Sequence, residues 1–388
     1  MLCSFRFLNS VIRFIPPPLL DRNYYFQLIL NPLIHILIAC RTPSISEVQF
    51  FRNMFLTFIF IWHAFGSAFG CVANILLLYA VITKTPKQTK SYATLIINFA
   101  LTDFTECLMD IFIQLRYVYT FGVLTLALRF IIPPFDVTYI YVFHGLCQYT
   151  GPLSCKIGLS IFYHCFPHNV WSLLLSFSYR YYVLHHPVIP RRILSLIILV
   201  IYIPSFIQAV IYWPTIGDRE TILPLANKFF PQYDLAHVDG LLAGIPTIKD
   251  FASIYVIAHL CVPIFPVYVA IFVLRHKVIK ELLKKTGMLS KDAKSYHSQI
   301  LKCLTIQAIV PFIFVIGVLS YLSAQLGIFT NPILEYSIFA CTLPMPMFSP
   351  FTYLLYIKPY RMFCARLLRR RKDVETSLVE RSKQVFSI

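Results

Sequence analysis

Three acidic side chains, Asp103, Glu106 and Asp110, stand in an otherwise uncharged stretch from Ser91 to about Leu115, with Gln114 beyond them. Offsets of 3, 7 and 11 from Asp103 place all four on one narrow stripe of an α-helix. Carboxylates so aligned hold cations or protons, or pair with inward-facing donors. Downstream, His164 and His168 share one helical face, with Tyr163 and Trp171 close by. Imidazoles four residues apart can ligate a metal, and imidazoles among aromatic rings can line a pocket for a small organic ligand. Which chemistry applies depends on the elements that carry these residues.

Those elements belong in a membrane. Of the 388 residues, 58% are hydrophobic and only 13% charged, with a mean hydropathy of +0.69, whereas soluble domains are about one quarter charged. A bilayer core about 30 Å thick needs roughly 20 apolar residues per helix. Six uncharged windows of that length lie between Arg52 and Lys84, Lys156 and Arg180, Arg192 and Asp218, Asp250 and Arg275, Lys302 and Glu335, and Glu335 and Lys358. The acid-striped stretch makes a seventh. The expectation is an all-α membrane protein, a seven-transmembrane bundle with spans at about 54–82, 91–115, 155–180, 193–214, 251–274, 303–324 and 336–357. Residues 53–357 form the bundle. Residues 1–52 are an N-terminal extension, expected outside the membrane or as a gene-model artefact; the weak apolar window at 23–40, with Gln27, Asn31, Pro32 and His35, is left out of the bundle.

Charge orients the chain. With the N-terminus outside, the inner segments hold about 23 of the 34 Lys and Arg, including Lys84, Lys87, Lys90, Arg180, Arg191, Arg192, the 275–302 cluster and the tail from Lys358. The outer loops carry Asp218, Glu220, Asp234, Asp239 and Asp250 instead. The net charge of +17 therefore reflects topology and anionic lipid contact, not a nucleic-acid surface. The tail at 358–388 is cytoplasmic and opens with KPYRMFCARLLRRRK, the pattern of a short interfacial amphipathic helix, with Cys364 a lipidation candidate.

Depth then assigns roles. Counted from Lys90, Asp103 lies near mid-membrane, suited to a structural or ion-binding role, while Glu106 and Asp110 climb toward the outer face. The ligand pocket is expected from Glu106, Asp110, Tyr163, His164, His168 and Trp171. A metal site is not expected, because the 164/168 and 185/186 histidine pairs are separated by most of a bilayer and the others are scattered. Cys147 and Cys155 share the first outer loop, as a local bridge or as two free thiols. Pro167 frees a carbonyl within the third window and is a hinge candidate. No partnered nucleophile, phosphate-cradling glycine loop or zinc spacing occurs. Neither an enzyme nor a cofactor is expected.

Once seven spans are placed, Asn74 in GCVAN, Asp103 in NFALTD, Arg180 in SYRYY, Pro311, and SPFTY at 349–353 resemble the signature positions of rhodopsin-like G-protein-coupled receptors. Ser178 and Tyr179 stand before Arg180 where the family has an acid, and Ser349 stands where it has asparagine. KTPKQTKSYATLIINFALTDF, GLCQYTGPLSCKIG and NVWSLLLSFSYRYYVL are similar to blocks of the nematode serpentine receptors of class delta over about residues 55–372, with 1–50 and 117–129 fitting poorly. The resemblance implies a chemosensory receptor for an external odorant or pheromone-like small molecule, signalling to a heterotrimeric G protein from the ciliary plasma membrane of sensory neurons. It implies a polar switch network of Asn74, Asp103, Ser349 and Tyr353, G-protein coupling at Arg180, and hinges at Pro263, Pro311 and Pro350 beside Pro167. The rival readings are a ligand-gated cation channel, with the acidic stripe along its path, and a secondary transporter, for which no internal repeat is found.

Overall fold

A chain that folds in lipid turns its apolar side chains outward and its polar ones inward, because only the interior can satisfy a hydrogen bond. The computed structural model, which describes residues 45–118, 139–229, 235–237, 239–247, 249–284, 291–309, 313, 317, 340–367 and 369, has this inverted pattern. The chain divides into two units, Met1–Leu56 and Thr57–Ile388. The first is described only over 45–56, which is helical.

Helix α1 (Ile45–Lys84) exposes Phe58, Phe65, Val72, Ile75 and Ile82 while burying His63, Ser67 and Asn74. Helix α4 (Arg191–Tyr212) exposes Ile193, Leu196, Val200 and Ile203 and buries Ser205 and Gln208. Among the described residues, three stretches, Thr57–Lys84, Arg191–Thr215 and Phe251–Lys284, are long and apolar enough to cross a membrane. Helices α2 (Lys90–Ile113) and α3 (Pro152–Val183) are long but more polar, since their interior positions carry acids, histidines, serines and asparagine. Such residues are tolerated only inside the bundle. Accordingly α3 packs against α2, α4, α6 (Phe251–Cys261), α7 (Ile264–Lys284) and α8 (Lys291–Ile309).

The window expected as one span at 251–274 is two helices, α6 and α7, interrupted at Val262 and Pro263, where the proline has no N–H to continue the ladder. By contrast α3 runs unbroken through Pro167, and α9 (Pro344–Tyr356) runs through Pro350. Pro311 lies outside the described residues. After a bend at Ile357, residues 358–367 are helical.

The fold is mostly helical, not all-helical. Strands β1 (Leu115–Val118), β2 (Tyr139–Phe143) and β3 (Leu241–Ile245) form an antiparallel sheet in the order β1-β2-β3, with Leu115 opposite Phe143 and Tyr139 opposite Ile245. Every residue of β2 is buried. Tyr139, Tyr141 and Phe143 join a cluster with helix residues Leu159, Phe162, Tyr212 and Val256, while Ile140 and Val142 pack with Ile222 and Ala226 of α5 (Arg219–Phe229). A strand covered on both faces reads as a continuous apolar run, so TYIYVF gives no polar alternation. At the other end of the bundle a larger core joins Leu77, Phe99, Phe177, Ile271, Leu304 and Tyr353.

Candidate functional site

The acidic stripe of α2 is buried, and its members face different partners. Asn169 of α3 donates from Nδ2 to Asp103 Oδ1 (2.9 Å) and to Glu106 Oε2 (3.1 Å). Asp110 turns to α1, where His63 Nδ1 lies 2.9 Å from both its oxygens and Ser67 Oγ donates at 2.5 Å. Asp103, Glu106 and Asp110 are 1–3% exposed. Each is thus bound into a helix contact through at least one of its oxygens. Gln114 leaves the stripe. Helix α2 ends at Ile113, and Gln114 adopts φ +35° with its N–H on the Asp110 carbonyl and its own carbonyl accepting from His144.

The two histidines of α3 stack with ring centroids 5.8 Å apart, and Tyr202 of α4 meets both edge-on at 4.4 and 5.1 Å. His168 Nε2 lies 3.1 Å from Asn98 Oδ1 of α2, and Asn98 Nδ2 donates to Ser172 Oγ. Tyr163 packs at 5.5 Å on Tyr212, and its carbonyl accepts from Gln208, whose Oε1 lies 2.6 Å from His259 Nδ1. Trp171 packs against the larger core. Of the six expected pocket residues, Asp110 therefore meets α1, Glu106 meets Asn169 of α3, Tyr163, His164 and His168 meet α4, and Trp171 joins the larger core. Among the described residues no His, Cys, Asp and Glu cluster able to hold a metal occurs.

Further along the bundle, polar contacts tie α9 to its neighbours. Asn74 Nδ2 donates to the carbonyls of Gly70 and Pro346. Gln307 of α8 donates to Ser349 Oγ (3.0 Å) and accepts from Tyr353 Oη (3.0 Å). Of the expected switch network, Ser349 and Tyr353 thus share Gln307, Asp103 is held by Asn169, and Asn74 is held by backbone carbonyls.

Arg180 stands in the last turn of α3. It is 3% exposed, so its fixed charge requires compensation. Its guanidinium lies over the Tyr92 ring of α2, 3.8 Å from the centroid, and Nη1 lies 3.5 Å from His297 Nδ1 of α8. Tyr92 in turn stacks on Tyr179. Burial, reinforced by the Arg180 charge, pushes the His297 pKa down to about 4. At neutral pH the imidazole is uncharged and its nitrogen can accept from the arginine. Three helices, α2, α3 and α8, therefore meet at one cation whose two named partners are neutral.

This arrangement sits in a recognisable sequence. The family described as "Serpentine type 7TM GPCR chemoreceptor Srd" matches residues 59–366. The chain belongs to that family. Serpentine receptor class delta-19 of Caenorhabditis elegans is 48% identical over 314 residues, covering 81% of this chain and 89% of the relative. Class delta-18 of the same organism is 48% identical with the same coverage, and class delta-3 is 31% identical over 83% of this chain and 90% of its own. The crystal structure of squid rhodopsin superposes with a TM-score of 0.54 at 14% identity, over 80% of this chain and 84% of that one. The fold is rhodopsin-like, the protein is a multi-pass membrane receptor of the chemoreceptor type, and the family is not an enzyme family.

At the sheet end of the receptor, Cys147 and Cys155 are joined by a disulfide that links the 3-10 turn Leu146–Tyr149 to the first turn of α3. At the arginine end, Phe363 and Cys364 pack partly against the larger core, and Tyr360 Oη lies 2.8 Å from Thr85 Oγ1. Arg361, Met362, Arg366 and Leu367 are exposed. Sequence reasoning missed Tyr92, Asn169, His297 and Gln307. Asn169, next to His168, and Gln307, isolated in an apolar window, carried a usable polar signal; Tyr92 and His297 did not.

Proposed function

We propose that this receptor detects an external small-molecule cue and relays it to a heterotrimeric G protein through Arg180. The sheet end faces outward with the N-terminus, and the end bearing Arg180, Lys84, Lys87, Lys90, Arg191, Arg192 and the 358–388 tail faces the cytosol. The cue acts on the polar groups of α2 and α3 (Glu106, Asp110, Tyr163, His164, His168 and Trp171), by favouring one helix packing over another. Asn74, Asp103, Gln307, Ser349 and Tyr353 transmit the change, and the break at Pro263 is a point at which the bundle flexes. The site of action is the plasma membrane of sensory cilia, with Cys364 a lipid anchor point.

The observation that carries this reading is the clamp on Arg180. In the rhodopsin-like receptors that the sequence resembles an acid precedes this arginine; here Tyr179 precedes it, and an aromatic face and an imidazole from two other helices meet the guanidinium. Separation of α8 from α2 and α3 removes His297 and leaves the guanidinium donors for the G protein. The test is a cell assay that reads G-protein signalling and membrane current together. Arg180→Ala is expected to abolish ligand-evoked signalling at normal surface expression. Retained signalling, or a current that persists when G-protein coupling is blocked, would refute it.

A further inference from the structure

A cavity of about 620 Å³ opens at the sheet end, lined by Gln148, Asp218, Arg219, Glu220, Leu241 and Leu242 among others. Its charged wall is built, not incidental. Gly217, just before Asp218, exchanges two backbone hydrogen bonds with Gly244 of β3, at 2.6 and 3.2 Å. The Asp218 carbonyl then accepts from Thr221 and Ile222, opening α5. Asp218 is thus fixed to the sheet on one side and to a helix on the other.

The charges divide unequally. Asp218 Oδ1 pairs at 2.8 Å with Lys156, whose side chain is only 12% exposed and lies one residue beyond the bridged Cys155. Arg219 Nη2 donates to the Ala236 carbonyl. Glu220 is exposed and has no side-chain partner among the described residues. One acid is therefore neutralised by a replaceable lysine, the arginine is engaged, and one carboxylate is left over, in a cavity whose accessible apolar wall is Leu241. We infer that this cavity is a binding site for small molecules bearing an ammonium group on a compact apolar body. The ammonium sits at Glu220 and competes with Lys156 for Asp218, and the apolar body lies on the half-buried Leu241. The inference rests on the outward orientation proposed above and names a chemical class for the cue at its first point of contact. Lys156 stands on the first turns of the helix that carries Arg180, so its displacement acts on α3 directly.

The test is direct binding to the full chain in lipid nanodiscs, at low ionic strength and without a G protein, using three probes of one shape: phenethylamine, 2-phenylethanol and phenylacetate. The amine is expected to bind most tightly. Glu220→Gln should weaken amine binding by roughly three- to fivefold, the scale of an exposed ion pair, and leave the alcohol unchanged. Lys156→Met should strengthen amine binding, because it frees Asp218. Equal binding of the three probes, no amine binding, or an amine affinity unmoved by both substitutions would overturn the inference. Because no G protein is present, this failure is separate from failure of Arg180 signalling.

Discussion

The two ends of α3 are held in opposite ways. At the sheet end a covalent bridge and an aromatic cluster hold the helix, beside a sheet that the Tyr141 to Tyr212 hydrogen bond (2.8 Å) ties to α4. At the arginine end a cation lies on one tyrosine face and within reach of one neutral histidine, with an apolar core behind them. The first set is lost only by unfolding. The second can be exchanged for other contacts at a cost of a few kcal/mol or less, which is the range in which a ligand's preference shifts a two-state equilibrium. Rigid attachment at one end and neutral, breakable contacts at the other suit a helix that is pushed at the top and read at the bottom.

The largest effect is expected where the sheet has no room. A Cβ at Gly244 would overlap the Tyr139 carbonyl oxygen, so Gly244→Val should abolish folded receptor at the cell surface. Gly217→Ala, whose nearest contacts at 3.3–3.4 Å are side-chain atoms, should be tolerated. Fluorescence-detected size exclusion of both variants distinguishes the two outcomes. Next, Cys147→Ala with Cys155→Ala should lower stability by roughly 2–3 kcal/mol, given the short loop closed, measured as a fall in melting temperature without a rise in basal signalling.

Smaller changes in stability are expected at the other end, with larger consequences for signalling. Tyr92→Leu removes the aromatic face under Arg180, worth about 1–2 kcal/mol for a desolvated cation, and should raise basal G-protein activity severalfold. The smallest effect concerns pH. The folded-state pKa of His297 is lowered from 6.5 to about 4, so the folded protein resists a proton that the unfolded chain accepts. Its contribution is complete above about pH 6.5 and is lost as pH falls toward 4. Melting temperatures of purified wild type between pH 7 and 4.5 should fall more steeply than those of His297→Phe; identical slopes would remove His297 from the clamp.

Much of this was legible because lipid imposes a simple rule. The acid-striped stretch became α2 at Lys90–Ile113 and a charge-free run became α4 at Arg191–Tyr212, within a few residues of the apolar windows, since chain length across the membrane is set by bilayer thickness. The stripe of Asp103, Glu106 and Asp110 was legible as inward-facing for the same reason. What each acid meets was not, because Asn169, His63 and Ser67 lie 43 to 66 residues away in the chain. The sheet was hidden because β2 is buried on both faces, and its pairing of Tyr139 with Ile245 spans most of the bundle. The Arg180 clamp was hidden differently. Tyr92 and His297 are ordinary residues in helix ends, and only their placement beside a cation makes them partners.

That placement is most directly tested by basal G-protein signalling of Tyr92→Leu and His297→Ala, singly and together, in intact cells at matched surface expression without added ligand. If neutral contacts hold Arg180 in the resting receptor, each substitution raises basal activity and the double variant exceeds either, while Arg180→Ala on the same background returns it to zero. Basal activity that stays at the wild-type level in the double variant would contradict the account.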